Sequence, residues 1–588
     1  MTGIEINGEL LDLDPGTTLE IERQNPFLQF GTSITGSYSF PFNVKNTERN
    51  RRLLNYNGVW QKQNDAGAID TILYDNSLQL FRGKLRIEKP TVNINKSSAT
   101  SFSCYVLTDI SDFWKDAELI KLRSINTGGE RSFVWDDENP SGAGFWGHIH
   151  AVANGAVNAY DYAFFPVINK AWEPYETAEA TFIMNNVEPD GTGCIFTTYA
   201  TISPSTIKEP NRIVPFPYLH FVISKIFEHI GWTVNGDVFD DADFLKITMV
   251  NFRAIDWCIP SVGGLAVYLP HETISFNLSD HLPDITISEF LIALKNRFGF
   301  EFKVDSIRRT FGINWVKTIK DAEVVDYTNY ANPKIERGFF TSQTKYSLVN
   351  DDGQGGGFLD TNVVNYTGIV NQKSDLPAAG ETYYNHVKYV CRENNYYICE
   401  LNDDSSYSWN LLTYNLYDYK VTDSNEDITS KAGTTGMEAY DSYLTLLPRI
   451  DISGEWFGRS EYSSAWGIHL VFFHGLKAIS SGSTQRYPYA SAHIYDPSGN
   501  QVAQYGLSFT CYQTDGTDVG LYITFWKDFL TLISAYEECE IKLMLPLDKY
   551  LSLGFDKIIS ISGVNLLIKK KNEKFPYKGI FDITAIRV

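Results

Sequence analysis

The apolar positions of residues 285–319 repeat with two periods in succession. Ile287, Phe290, Leu291, Leu294 and Phe298 recur at helical spacing and make one apolar face. Thr286 or Ser288 can cap the start of that helix, Glu289 lies in its first turn, and Gly299 stands where a left-handed residue ends it. Past the glycine the period shortens to two: Phe300, Phe302 and Val304 alternate with Glu301, Lys303 and Asp305, which predicts a half-buried strand. Residues 306–310 turn the chain, and Phe311, Ile313, Trp315 and Ile319 form the returning strand. The unit is helix, glycine, hairpin.

The unit recurs in looser form. In 215–237, Leu219, Val222, Ile223, Ile226, Phe227 and Ile230 make the helical face, Gly231 ends it, and Trp232 and Val234 start an extended segment. In 520–547, Leu521, Phe525, Phe529, Leu532 and Ile533 make the face, and Cys539, Ile541, Leu543 and Leu545 alternate along a strand. Three amphipathic helices that each feed a strand predict a multidomain chain, mainly β with some α, with helices packed on its sheets. No short repeat period joins them, so a solenoid is not expected.

Residues 1–125 read as a β domain. Tyr38, Phe40 and Phe42 alternate, with Pro41 marking an edge or strand end. A short helix over 48–56 carries Arg49, Arg51 and Arg52. Further strands are predicted at 71–74, 77–88, 91–95 and 100–107, with Gly83 as a bulge or barrel bend, and a short helix at 108–119. Many short strands with turn signals predict a small barrel. Residues 126–212, rich in Gly, Asn and Pro, read as an irregular insertion. Residues 213–335 hold two of the helix–strand units and contribute to a second barrel, which 445–588 completes. Between them, 336–444 is a Gly- and Tyr-rich β insertion, with Gly353, Gly355, Gly356 and Gly357 in a flexible loop.

At 588 residues the chain exceeds what one core supports, so three or four domains are expected. Aromatics are 14% of residues, which favours strands and contact surfaces. A formal net charge of -21 argues against general nucleic-acid binding, which needs a basic face. The seven cysteines form no CxxC pair and read as free thiols of a chain folded in a reducing cytoplasm. The polar, alternating MTGIEINGEL is not read as a signal peptide, and no membrane span is expected.

Candidate chemistry is sparse. His148-Ile149-His150 resembles half of a lysostaphin-type zinc site, but no histidine precedes it to complete the set, so it reads as a surface loop. Asp136, Asp137 and Glu138 lack an EF-hand frame for Ca²⁺. The glycines from Gly353 to Gly357 lack the lysine of a phosphate cradle. There is no GxSxG elbow and no cysteine–histidine pair at motif spacing. No catalytic, cofactor-binding or metal residue is therefore assigned, and the chain is read as non-enzymatic. Tyr396, Tyr397, Tyr407, Trp409, Tyr414, Tyr417 and Tyr419 can be a glycan platform, or a sheet face with an interface. Lys569, Lys570 and Lys571 read as a solvated hairpin tip, with a subunit ion-pair contact as the second reading.

The stretch SITGSYSFPFNVKNTERNRRLLNY resembles a signature of tail proteins from phages and prophages of Bacteroidetes, in which a strand ending in S-F-P-F precedes an N-R-R-L helix. LFRGKLRIE, PFPYLHFVISKIFEHIGWTVNGD, ISEFLIALKNRFGFEFKVD, GIHLVFFHGL, RYPYAS and GLYITFWKDFL are similar to segments of the same family in the same order. The resemblance spans the chain outside about 126–212 and 336–440. It implies the hub that closes a tail tube: a homotrimeric ring in a virion, two β-barrels per chain, built in the host cytoplasm. It implies contacts with the tail tube or distal tail protein, with tip spike or fibre proteins and with a tape-measure protein. Arg49, Arg51 and Arg52 are then expected at inter-subunit contacts. The alternatives are a tail-tip adhesin using Tyr396, Tyr397, Trp409 and Tyr414 on a glycan, or a tail-tip hydrolase of cell wall or polysaccharide.

Overall fold

The computed structural model describes residues 2–588 apart from 58–67, 170–182, 202–207, 261–267, 338–345, 351–365, 412–425, 451–466, 492–524 and shorter stretches of one to four residues. Strands dominate. The described helices are α1 (Glu48–Leu53), α2 (Ile110–Ala117), α3 (Phe145–Ala153), α4 (Leu219–Ile230), α5 (Ile287–Phe298), α6 (Lys527–Ser534) and α7 (Leu547–Ser552).

The helix–hairpin unit forms where its periodicity puts it. Thr286 Oγ1 accepts the Glu289 N–H at 3.2 Å, and the Glu289 carboxylate accepts the Thr286 N–H at 2.9 Å, a reciprocal cap that satisfies two orphan donors. Gly299, at φ 66°, ends the helix in the left-handed region. Strands Phe300–Asp305 and Thr310–Trp315 then pair from Phe300↔Trp315 to Asp305↔Thr310. After α4, strand Thr233–Asn235 adds in parallel to Thr310–Trp315, so the first two units share one three-stranded sheet. α6 closes on the same core, where Phe525 stacks on Trp315 at 4.6 Å between centroids.

α5 is buried on more than its apolar face. Lys295, Asn296 and Arg297 are all within a few percent of full burial. Lys295 Nζ donates to the Gln29 carbonyl at 2.6 Å and lies 5.1 Å from the Phe30 ring centroid. Asn296 donates to the carbonyls of Phe30 and Thr429, and Ser430 Oγ donates to the Ala293 carbonyl. The helix thus ties together segments from the start and the middle of the chain. Burial pulls the Lys295 pKa down to about 7.

The largest sheet has 14 strands. From the edge strand Glu9–Leu10 it runs through Thr2–Ile6, Ile69–Asp75, Leu78–Asn93, Ser98–Thr108 and Ser37–Ser39 to Leu19–Gln24. There it passes to Val564–Phe575, Ile580–Arg587, Glu538–Met544 and Glu336–Arg337. Leu19↔Phe575 through Gln24↔Lys570 set the register of the junction. Strands of residues 1–125 and of 538–587, expected in separate barrels, therefore share one sheet. The described strands form an open path with no ladder joining its ends. The physical reason is a shared apolar face: Leu19, Ile21, Leu85 and Val106 bury against the same core as Ile568 and Phe575.

Three further expectations change. Gly83 sits in regular register, opposite Thr71 and Thr108, and the ladders shift instead at Leu73/Tyr74 and Ile87/Pro90. A Cβ at Gly83 would overlap the Leu107 carbonyl oxygen, so the glycine permits close strand approach and makes no bulge. The lysines 569–571 lie within an inner strand and not at a hairpin tip: Lys570 pairs with Glu22 at 2.6 Å, Lys569 pairs with Glu538, and buried Lys571 donates to the Leu553 carbonyl. The described part of 126–212, expected as an irregular insertion, is packed. It carries α3 and much of a second core, in which Trp135 stacks on Trp257 at 5.7 Å with 3° between the rings.

Two outcomes follow. Gly83→Ala should destabilise the chain by about 1–3 kcal/mol, read as a lower urea midpoint, because the new methyl group must displace a strand. Lys295, with its folded pKa below its unfolded value, makes stability rise as pH climbs from about 7 to its unfolded value of 10.5, by up to about 1.4 kcal/mol per pH unit. Urea titrations of Lys295→Met across that window should lose this slope.

Candidate interaction surfaces

α1 stands against the outer end of the large sheet. Thr47 caps it, accepting the Asn50 N–H at 3.2 Å. Asn50 is fully buried: its amide donates to the carbonyls of Asp12 and Lys45, and its oxygen accepts the Asp12 N–H at 2.9 Å. Leu53 and Leu54 enter the sheet core. This anchoring leaves the three arginines outside. Arg49 meets Asp12 at 3.2 Å, Arg51 meets Glu48 at 2.6 Å, and Arg52 forks onto both oxygens of Glu9 at 2.7 and 2.9 Å. The Glu9 hydrogen bond and charge raise the Arg52 pKa further. The structure thus sets Arg49 and Arg52 one turn apart beside the edge strand, with Arg51 on another side of α1, and gives each an acid of its own chain. Exposed pairs of this kind are weak and screened by salt, so a partner's carboxylates can exchange into them. Beside them runs the edge strand Glu9–Leu10, whose Leu10 side is half exposed.

A second surface was missed in the sequence. Met544 and Ile580 face each other across the ladder at 48% and 46% exposure, and Leu547 and Leu551 stand one turn apart on α7 immediately after. Each sits in an ordinary strand or helix pattern, and only the sheet pairing shows that they are neighbours on an outer face.

The tyrosine-rich segment forms a four-stranded sheet that includes Tyr396–Leu401 and Tyr407–Leu411. Trp409 is nine-tenths buried and its indole N–H donates to the Pro377 carbonyl at 2.7 Å, so its ring packs inward. The side chains of Tyr396 and Tyr397 lie outside what the structure describes, as do Tyr414, Tyr417, Tyr419 and the glycines from Gly353 to Gly357.

His148 and His150 are helical and largely buried, not on a surface loop. His148 stacks on Phe133 at 4.3 Å and shares a 2.6 Å hydrogen bond with the Tyr162 hydroxyl. Burial, then the nearby Arg131, pulls its pKa to about 4. His150 hydrogen-bonds the Cys194 carbonyl and sits edge-on to Phe196, and burial lowers its pKa as well. Two residues apart on a helix, the imidazoles point to different sides. Asp136, one of the acids weighed for Ca²⁺, accepts the N–H groups of Gly144, Trp146 and Gly147 at 3.1, 2.8 and 2.9 Å and so caps α3. A Cβ on Gly147 would overlap the Gly142 backbone, so the glycines of SGAGFWG are what let the loop fold onto the carboxylate. Among the described residues no group of three His, Cys, Asp or Glu side chains is placed to hold a metal. No described helix is long and apolar enough to cross a membrane.

Asp136→Ala leaves three helix-terminal donors without their acceptor. It should cost about 1–3 kcal/mol and melt the α3 region first, detected as early loss of near-ultraviolet signal from the stacked tryptophans.

No protein-family model and no curated protein matches the chain. Solved structures that align with it include the 43 kDa tail protein of prophage MuSo2 from Shewanella oneidensis, at 7% identity and a TM-score of 0.30, over 100% of this chain and 97% of that one. They also include the tail protein from Neisseria meningitidis MC58, at 6% identity and a TM-score of 0.29, over 100% of this chain and 96% of that one.

Proposed function

We propose that this chain is a structural protein of a phage or prophage tail, the hub that closes the tail tube and joins it to the tip spike or fibres, assembled as a homotrimer within the virion. The observation that carries this reading is the ordered set of family-like motifs, together with where they fall. SFPFN spans the break between Ser37–Ser39 and Phe42–Lys45, and NRRL is α1. LFRGKLRIE lies in Leu78–Asn93, and the next two motifs form α4, α5 and the first strand of the hairpin. GIHLVFFHGL and RYPYAS are paired strands, and the last motif enters α6. The resemblance therefore tracks the framework elements of the cores, as a shared architecture requires.

Work of this kind is done by interfaces. Arg49 and Arg52 of α1 with the edge strand beside them support a subunit contact, and the Met544–Ile580 face supports a contact with a neighbouring tail component. The duplicated barrels expected from the resemblance are not part of the proposal, because the described strands form an open sheet.

Light scattering coupled to size exclusion tests it. A mass of about 200 kDa, three times the 66.6 kDa chain, with ring particles in negative stain, is the expected result. The double variant Arg49→Glu, Arg52→Glu should fall to the single-chain mass with an unchanged far-ultraviolet spectrum. A trimer indifferent to that variant and to salt would remove α1 from the interface, and a monomer that does not associate with tail tube protein would overturn the hub.

A further inference from the structure

The helix–hairpin unit and the C-terminal sheet meet along a seam that forms a half-open cavity of about 250 Å³. Its lining is part apolar, from Phe27, Phe302 and Phe555, and part charged, from Glu301, Asp556 and Lys571. Glu301 is the anomaly. It lies on strand Phe300–Asp305, opposite Asn314, with 4% of its surface exposed, where an alternating strand would have put it in solvent.

The charged groups around it come from several elements. Lys303 shares its strand and face, and its Nζ is held at 2.7 Å by Asp556, from the turn after α7. Asp237, in the 3-10 turn that follows Thr233–Asn235, accepts the Trp315 N–H at 2.9 Å. Arg23 and Lys571 line the same cavity, Arg23 paired with Glu573 at 3.0 Å and Lys571 bonded to the Leu553 carbonyl and lying 4.6 Å from the Phe555 ring. Ionising Glu301 would set a third carboxylate beside Asp556 and Asp237, with Lys303 already matched to Asp556. Burial first, then Asp556 and Asp237, against Lys303, hold the Glu301 carboxyl up at about 8.

We propose that Glu301 is a proton-operated latch on this seam. Protonated, it lets the hairpin lie against the C-terminal sheet; on losing its proton to solvent, it drives the seam open so that the carboxylate reaches water through the cavity. The sign follows from linkage. The closed seam binds the proton more tightly than the open one, so closure is strongest below the ordinary carboxyl range. It weakens as pH rises and stops weakening above the closed-state value. Between those limits the opening constant rises by up to about tenfold per pH unit.

Hydrogen exchange of the full chain, followed by mass spectrometry from pH 5 to 9 and corrected for intrinsic rates, tests the latch. Protection of residues 300–305 and 553–557 should fall by up to about tenfold per unit to about pH 8 and then level off, while 580–587 stays unchanged. Glu301→Gln should flatten the profile. Asp237→Asn, which keeps the acceptor for Trp315, should move the levelling point to lower pH. Protection that does not change with pH in the natural chain overturns the proposal, and so does a fall that persists in Glu301→Gln. If Glu301→Gln does not fold, an unshifted profile in Asp237→Asn overturns it.

Discussion

The antiparallel ladder between Leu19–Gln24 and Val564–Phe575 closes the two ends of the chain on each other, and the large sheet depends on it. Without it the N-terminal strands would end in an unpaired edge with Leu19 and Ile21 uncovered. Closing so long a loop costs chain entropy, but that cost grows only with the logarithm of length. Burial of Ile21, Ile568 and Phe575 within one core offsets it, and cross-strand pairs fix the register: Lys574 meets Glu20 at 2.7 Å and Lys570 meets Glu22 at 2.6 Å.

α5 performs the corresponding task for the interior. A surface helix would bury one stripe, yet here Lys295, Asn296 and Ser430 place hydrogen bonds between the helix and segments near residues 29 and 429. Side chains that carry a hydrogen-bond donor on a long or adaptable stem can reach carbonyls that no regular ladder satisfies. The desolvation of Lys295 and Glu301 is the energetic cost of using polar residues this way, and it makes the packing around both sensitive to pH.

The outer faces follow from the same framework. Because Asn50, Leu53 and Leu54 hold α1 to the sheet, Arg49 and Arg52 are presented beside an edge strand. Because Glu538–Met544 pairs with Ile580–Arg587, Met544 and Ile580 become neighbours on an outer face.

The local elements were legible in the sequence. The helices at 219–230 and 287–298, the glycines that end them, a cap at the start of the second and the hairpin after Gly299 all stand where period and cap chemistry put them, because these depend on neighbours three or four residues away. The tertiary structure decided the rest. It joined the first and last strands into one sheet and buried the helix around His148 in a core that draws in many strands of two or three residues, too short to show a period. It turned Asp136 from a candidate ligand into a helix cap and drew Glu301 and Lys295 inside. Those outcomes depend on contacts between residues tens to hundreds of positions apart, and hydrophobic patterning records which face of an element is apolar without recording which other element will cover it.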